Sequence, residues 1–202
     1  DERVFVEFNN ARLADLGVWG PDEFLDLIRH DIPVEFPRAV DEAADALVPE
    51  PLFEDPRRRD LTELSVFTID DAYTTDVDDG VSVTVGEDGG CRVGVHITDV
   101  SSLIPADTTL DHEALNRISS LYFPECKIPM LPPKISEELG SLRPGMTRMA
   151  LSLLFDVTPQ GEVGRAEIVP SVIRCTEKLA YEQVDAILED PSHPLHFRLS
   201  TL

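Results

Sequence analysis

A chain of 202 residues that is 42% hydrophobic can bury one sizeable core, or one domain with a smaller appendage. Its 39 acidic residues against 17 basic ones give a net charge of -22, which argues against capture of nucleic acid by overall charge, since such capture relies on Lys and Arg neutralising phosphates. No apolar run approaches the roughly 18–20 residues that span a bilayer, so no membrane partner is expected. Cys91, Cys126 and Cys175 are too scattered and too few for a disulfide framework or a CxxC zinc pattern. A monomer in a reducing cytoplasm is the simplest expectation. An acidic chain can still act on nucleic acid where divalent metals invert the local field, or where other domains supply the basic surface.

In chain order, VFVEF (4–8) reads as a short extended run, followed by helix-like patterning at 12–16 and 21–28, with the lone Trp19 expected in the core. Gly20 and Pro21 suit a helix start, because proline fits the first helical position. Residues 31–60 are acidic and proline-rich around a helical stretch DEAADAL (41–47), the composition of a connector. The domain boundary is therefore placed after residue 60, with an N-terminal helical segment and acidic linker over 1–60 and a domain of mixed strands and helices over 61–202. VFTI (66–69) and VSVTV (81–85) read as strands, GEDGG (86–90) as a tight turn, and CRVGVHIT (91–98) as the hairpin partner. A helix is expected from about Thr109 to Ser119, capped by Asp107 or Thr108 with Asp111 in its first turn. The four prolines of YFPECKIPMLPPK (122–134) predict an extended, rigid loop. MALSLLFDV (149–157), the turn PQG and EVGRAEIVPSVIR (162–174) form another hairpin, and Tyr181 to Leu188 reads as a helix. The fold class is α+β, with a mixed, mainly antiparallel sheet and flanking helices.

One stretch resists a purely structural account. DDAYTTDVDD (70–79) holds five carboxylates, and the nearest cations in sequence are Arg59 and Arg92. Two like charges about 4 Å apart repel by roughly 4 kcal/mol at an effective dielectric of 20. A compact loop gathering Asp70, Asp76, Asp78 and Asp79 therefore needs protonation or a cation. An EF-hand does not fit: with Gly80 at the sixth position, position twelve falls on Gly86, where a bidentate Glu is required. The flanking strands limit how far the side chains can splay. Pattern alone leaves a solvated loop and a Mg²⁺ site both open.

FTIDDAYTTDVDDGVSV (67–83), with its T-I-D strand end followed by D-x-D-D, resembles the signature of the ribonuclease II/ribonuclease R exoribonucleases, the RNB catalytic domain. VGVHITDVSSLIPADTTLDHEA (93–114), RISSLYFPECKIPMLPPKISEELGSLRPG (117–145), MALSLLFDVTPQGEV (149–163) and SVIRCTEKLAYEQV (171–184) continue the likeness in family order. Thr147 before Arg148 departs from the acidic residue many members carry there. The resemblance implies that Asp70, Asp76, Asp78 and Asp79 bind Mg²⁺ at the scissile phosphate, with Asp78 the residue needed for cleavage, and that Asp71 faces solvent. It further implies that Tyr122 and Tyr181 lie along single-stranded RNA near its 3′ end. Base stacking on an aromatic ring contributes about 1–3 kcal/mol. The implied activity is Mg²⁺-dependent 3′-to-5′ hydrolysis of single-stranded RNA to nucleoside 5′-monophosphates. The likeness covers the first part of the family's catalytic domain, and the chain opens on Asp1, so it reads as a fragment whose own activity is left open. A non-catalytic RNA-binding or interaction module with the same fold is the alternative. Arg117 and Arg143 suit surface ion pairs better than phosphate contacts, and His96 and Asp99 suit structural support next to the acidic loop.

Overall fold

The computed structural model describes residues 32–123 and 126–201. The extended run expected at 4–8, the helical segments at 12–16 and 21–28 and Trp19 lie outside the described residues. The described helices are α1 (Arg38–Asp45), α2 (Glu50–Phe53), α3 (Thr109–Arg117), α4 (Tyr181–Glu189) and α5 (His196–Leu199). The strands are β1 (Arg59–Asp60), β2 (Val66–Asp70), β3 (Asp79–Val85), β4 (Cys91–Thr98), β5 (Leu121–Tyr122), β6 (Lys127–Ile128), β7 (Thr147–Val157) and β8 (Val163–Ala180). Among the described residues, no helix is long and apolar enough to cross a membrane.

The sheet has the order β1-β8-β2-β3-β4-β7, and β8 also pairs with β7. Tracing β2 to β3, β4, β7, β8 and back to β2 therefore closes a ring of hydrogen-bonded strands, a small barrel without a free edge along that circuit. Closure depends on β8, which runs six residues beyond the hairpin end expected at Arg174. Its first part pairs antiparallel with β7, from Val163 to Arg174. Its last part, Cys175–Ala180, runs parallel to Val66–Asp70. The sheet is thus mainly antiparallel, with parallel pairings only where β8 meets β1 and β2. This is the mixed α+β architecture expected.

Burial follows the strand alternation. Val66, Val77, Leu142, Ala150, Ile173 and Cys175 form one core cluster. On the outside, α4 and α5 bring Ile187 and Leu199 onto Phe67 and Leu179. In α1, Val40 and Ala44 are four residues apart and share one helical face; both are buried against Leu110, Leu131 and Ile135. Both α1 and β1 precede the boundary expected at 60/61, yet they pack into the same body as the strands and helices beyond it. Thr108 caps α3 by accepting from the Asp111 amide, and Asp107 instead adopts a positive φ of 62°.

The proline-rich stretch 122–134 is less extended than expected. Tyr122 pairs with Lys127 and Leu121 with Ile128, making a short hairpin, and Lys134–Leu139 forms a π-helical turn after Pro133. Arg117 closes this region. Its guanidinium donates to the carbonyls of Pro33, Glu35 and Pro129, pairs with Glu113 at 2.7 Å and stacks 3.8 Å from the centre of the Phe36 ring. It is a clamp for the chain entering α1.

The barrel interior also carries a polar chain. His96 is fully buried and hydrogen-bonds Ser82 Oγ at 2.9 Å and Ser152 Oγ at 2.7 Å, and Ser152 in turn meets Ser171 Oγ at 2.6 Å. Gly94 makes room for it, since a Cβ there would lie 2.6 Å from both His96 Nε2 and Ser82 Oγ. Burial pushes the His96 imidazole down to about 4, so the ring is neutral at pH 7.

Candidate active site

The acidic loop sits at one end of the barrel, between the last residue of β2 and the first of β3. Its shape is set by one apolar side chain. Val77 is buried in the core cluster, so Asp76 and Asp78 on either side point away from it. Four hydrogen bonds pin the backbone. Ser141 Oγ accepts from the Val77 amide at 3.0 Å and donates to the Thr75 carbonyl at 2.8 Å; the Leu142 amide reaches Val77 O at 2.8 Å; the Thr98 amide reaches Asp78 O at 2.9 Å. Gly80 follows because a Cβ there would meet Val66 Cγ1 at 3.0 Å and Leu142 Cδ1 at 3.1 Å.

The four aspartates are brought into one electrostatic unit. The Asp78 carboxyl is raised to about 6, first by loss of solvation in the crowded loop and then by Asp76, Asp79 and Asp70. Burial, followed by the charge of Asp79, also raises Asp70, against the opposing pull of Lys178. Asp76 behaves differently. Burial pulls its carboxyl up, but the Tyr122 hydroxyl at 2.6 Å and the Lys127 ammonium at 3.2 Å outweigh that and hold it below the ordinary carboxylate range. Asp71 is exposed, as expected, and accepts from the Tyr73 amide at 2.9 Å.

Tyr122 and Tyr181 both lie at this end. Tyr122 is 66% exposed although its hydroxyl is bound, and Tyr181 is 57% exposed at the start of α4, directly after the Ala180 that pairs with Asp70. The Arg117 guanidinium is committed to Glu113 and to the carbonyls of Pro33, Glu35 and Pro129. Asp99 pairs with Arg58 and accepts from Ser101, a supporting arrangement at the end of β4. Sequence reasoning missed two cations. Lys127 arrives from β6, and Lys178 arrives from β8, where its ammonium binds the carbonyls of Thr74 at 2.6 Å and Ala72 at 3.4 Å. No local pattern announces either lysine: Lys178 reaches the loop through the long-range pairing of β8 with β2, and Lys127 through the packing of the separate β5–β6 hairpin against it.

The donor chemistry fits a hard divalent cation: the loop offers carboxylate oxygens, and Asp70 Oδ2 is buried without a hydrogen-bond partner. The nearby Thr68 Oγ1 is likewise buried without a hydrogen bond of good geometry. Among the described residues, no three His, Cys, Asp or Glu groups are gathered closely enough to grip an ion at once. The carboxylates are a coupled field rather than a closed cage.

The RNB domain family model matches residues 58–197. Ribonuclease R of Chlamydia muridarum is 39% identical over 166 residues, covering 81% of this chain and 24% of that protein. DIS3-like exonuclease 2 of Arabidopsis thaliana is 45% identical over 136 residues, covering 67% of this chain and 13% of that protein, and an Arabidopsis protein named Inactive exonuclease DIS3L2 matches with the same figures. Among solved structures, the apo form of Mycoplasma genitalium RNase R gives a TM-score of 0.77 at 27% identity, covering 86% of this chain and 28% of that one. The same enzyme in complex with ribose-methylated single-stranded RNA gives the same TM-score of 0.77. The chain spans 24% of the length of its ribonuclease R relative from Chlamydia muridarum. On the extent of the family match and the identity to its members, the chain belongs to the RNB-domain ribonuclease family.

Proposed function

We propose that this chain forms the acidic part of the active site of a cytoplasmic exoribonuclease. In this reading the complete protein hydrolyses single-stranded RNA from its 3′ end, with Mg²⁺, to nucleoside 5′-monophosphates. The observation that carries the reading is the coupling of Asp70, Asp76, Asp78 and Asp79 at one barrel end, in a chain whose relatives include ribonuclease R. The carboxylates of Asp70, Asp76, Asp78 and Asp79 would supply the oxygen ligands of the metal, drawn in around it as it binds, and the bound ion would supply water activation and charge neutralisation at the scissile phosphate. The chain's own groups do the rest. The Tyr122 hydroxyl orients Asp76, and its exposed ring offers a stacking face for a base. Tyr181 offers a second such face beside Asp70. Lys178 ties the backbone carbonyls of the loop to β8 and limits its movement.

The test is digestion of 5′-labelled poly(A) by the complete protein, with EDTA and Asp78→Asn as controls. The expected result is loss of hydrolysis in both; cleavage that persists without a divalent metal, or full activity in the Asn variant, overturns the reading. The similarity to a protein named an inactive exonuclease favours a second reading, an RNA-binding module without turnover. RNA retained by the complete protein with no hydrolysis at any metal concentration selects that one.

A further inference from the structure

The β5–β6 hairpin holds the Asp76 carboxylate by both oxygens. Tyr122 and Lys127 are directly opposed in the hairpin register. The tyrosine hydroxyl donates to Asp76 Oδ2 at 2.6 Å, and the lysine ammonium lies 3.2 Å from Oδ1. The same ammonium lies 2.6 Å from Glu137 Oε1 on the π-helical turn and donates to Thr75 Oγ1 at 3.1 Å. Lys127 is thus shared between an acidic-loop carboxylate and a carboxylate outside the loop, and the shorter contact is to the outside one. Both partners of the Lys127–Asp76 pair are well covered, with side-chain exposures of 22% and 11%. Screening by water is therefore weaker than at a surface pair.

We infer that Lys127 is a tethered counter-cation that competes with the divalent metal for Asp76, and that Glu137 is the site to which it withdraws when the metal loads. The inference rests on the reading of Asp70, Asp76, Asp78 and Asp79 as metal ligands. A cation arriving at Asp76 meets an ammonium already there. Displacing it is feasible because Glu137 keeps the lysine paired, so no buried charge is left alone. Before metal arrives, Lys127 relieves the mutual repulsion of the loop and keeps its shape. Lys127 is a positioning residue on this account: it acts through Asp76.

The test measures Mn²⁺ affinity of the complete protein, without RNA, by electron paramagnetic resonance or calorimetry. Lys127→Met should tighten Mn²⁺ binding roughly two- to fivefold, the range expected for one partly screened ion pair. Glu137→Gln should weaken it by a similar factor, because the lysine loses its second partner. The decisive sample is the double variant. If Glu137 acts through Lys127, Glu137→Gln has no further effect in the Lys127→Met background; if it acts as a distant negative charge, the weakening persists. Lys127→Gln serves as the second variant should the methionine disturb the hairpin. Unchanged affinity in both lysine variants, or a Glu137 effect that survives the loss of Lys127, overturns the inference. Asp78→Asn separates this from failure of the metal reading: equal Mn²⁺ binding in wild type and Asp78→Asn sinks the metal site itself. Weakened binding in Asp78→Asn with unmoved lysine variants sinks only the role of Lys127.

Discussion

Ser141→Ala is the substitution that isolates how the loop is held. Ser141 is fully buried, and its hydroxyl makes both bonds that fix the loop before Val77: it accepts from the Val77 amide at 3.0 Å and donates to the Thr75 carbonyl at 2.8 Å. Alanine removes one oxygen and no carbon, so the cavity term is small. The cost lies in what is left behind. The Val77 amide is in the core and has no route to water, which amounts to about 1–3 kcal/mol for an unsatisfied buried donor. The Thr75 carbonyl lies closer to solvent and can rehydrate, adding roughly 0.5 kcal/mol. A loss of about 1.5–3.5 kcal/mol is expected, read as a shift of the urea midpoint at constant slope. Ser119→Ala is the control, since its hydroxyl bonds only the neighbouring Ser120 carbonyl at the surface and should stay within about 0.5 kcal/mol of wild type. Hydrogen exchange at the Val77 amide should accelerate in Ser141→Ala. A change under about 0.5 kcal/mol, or unaltered exchange at Val77, refutes the reasoning that this hydroxyl pins the acidic loop.

Three further outcomes are expected. His96 is neutral in the fold, at about 4 against an ordinary value of 6.5, so the unfolded chain takes up its proton first on acidification. The His96 contribution is therefore fully present above about pH 6.5 and falls by roughly 2–4 kcal/mol as pH drops towards 4, while Asp78, raised to about 6, acts in the opposite direction; the difference in stability between wild type and His96→Gln, followed from pH 7 to 4, should isolate the His96 limb. Gly94→Ala drives a Cβ into His96 and Ser82 and should cost about 1–3 kcal/mol, with part of the loss recovered in Gly94→Ala/His96→Ala. For Tyr122, fluorescence anisotropy with single-stranded RNA should separate ring from hydroxyl: Tyr122→Phe keeps the affinity and Tyr122→Ala loses about 1–3 kcal/mol.

Much of the fold is legible because the signals are local. The strands at 66–70, 79–85 and 91–98 alternate or run apolar, GEDGG turns with Gly89 at a φ of 81°, and Thr108 precedes a helix as a cap should. Barrel closure is not local. Nothing in SVIRCTEKLA says that Cys175–Ala180 will leave β7 behind and run parallel to Val66–Asp70. The same reason hides the two lysines. The acidic loop shows no cation between Arg59 and Arg92 in sequence, yet Lys127 and Lys178 stand beside it in space. Proline counting misled over 122–134, because the pairing of Tyr122 with Lys127 needs only residues whose amides are free to bond. Arg117 was expected in a surface ion pair, but its side chain is only 3% exposed, because it also holds the carbonyls of Pro33 and Glu35, which no local pattern announces.

Asp70, Asp76, Asp78 and Asp79 are proposed as the ligands of a divalent metal. The most direct measurement is anomalous difference scattering from crystals of the complete protein grown with Mn²⁺. A peak is expected within coordination distance of Asp78 and at least one of Asp70, Asp76 and Asp79, with no such peak in Asp78→Asn crystals. Mn²⁺ bound elsewhere, with this loop empty at saturating metal, contradicts it.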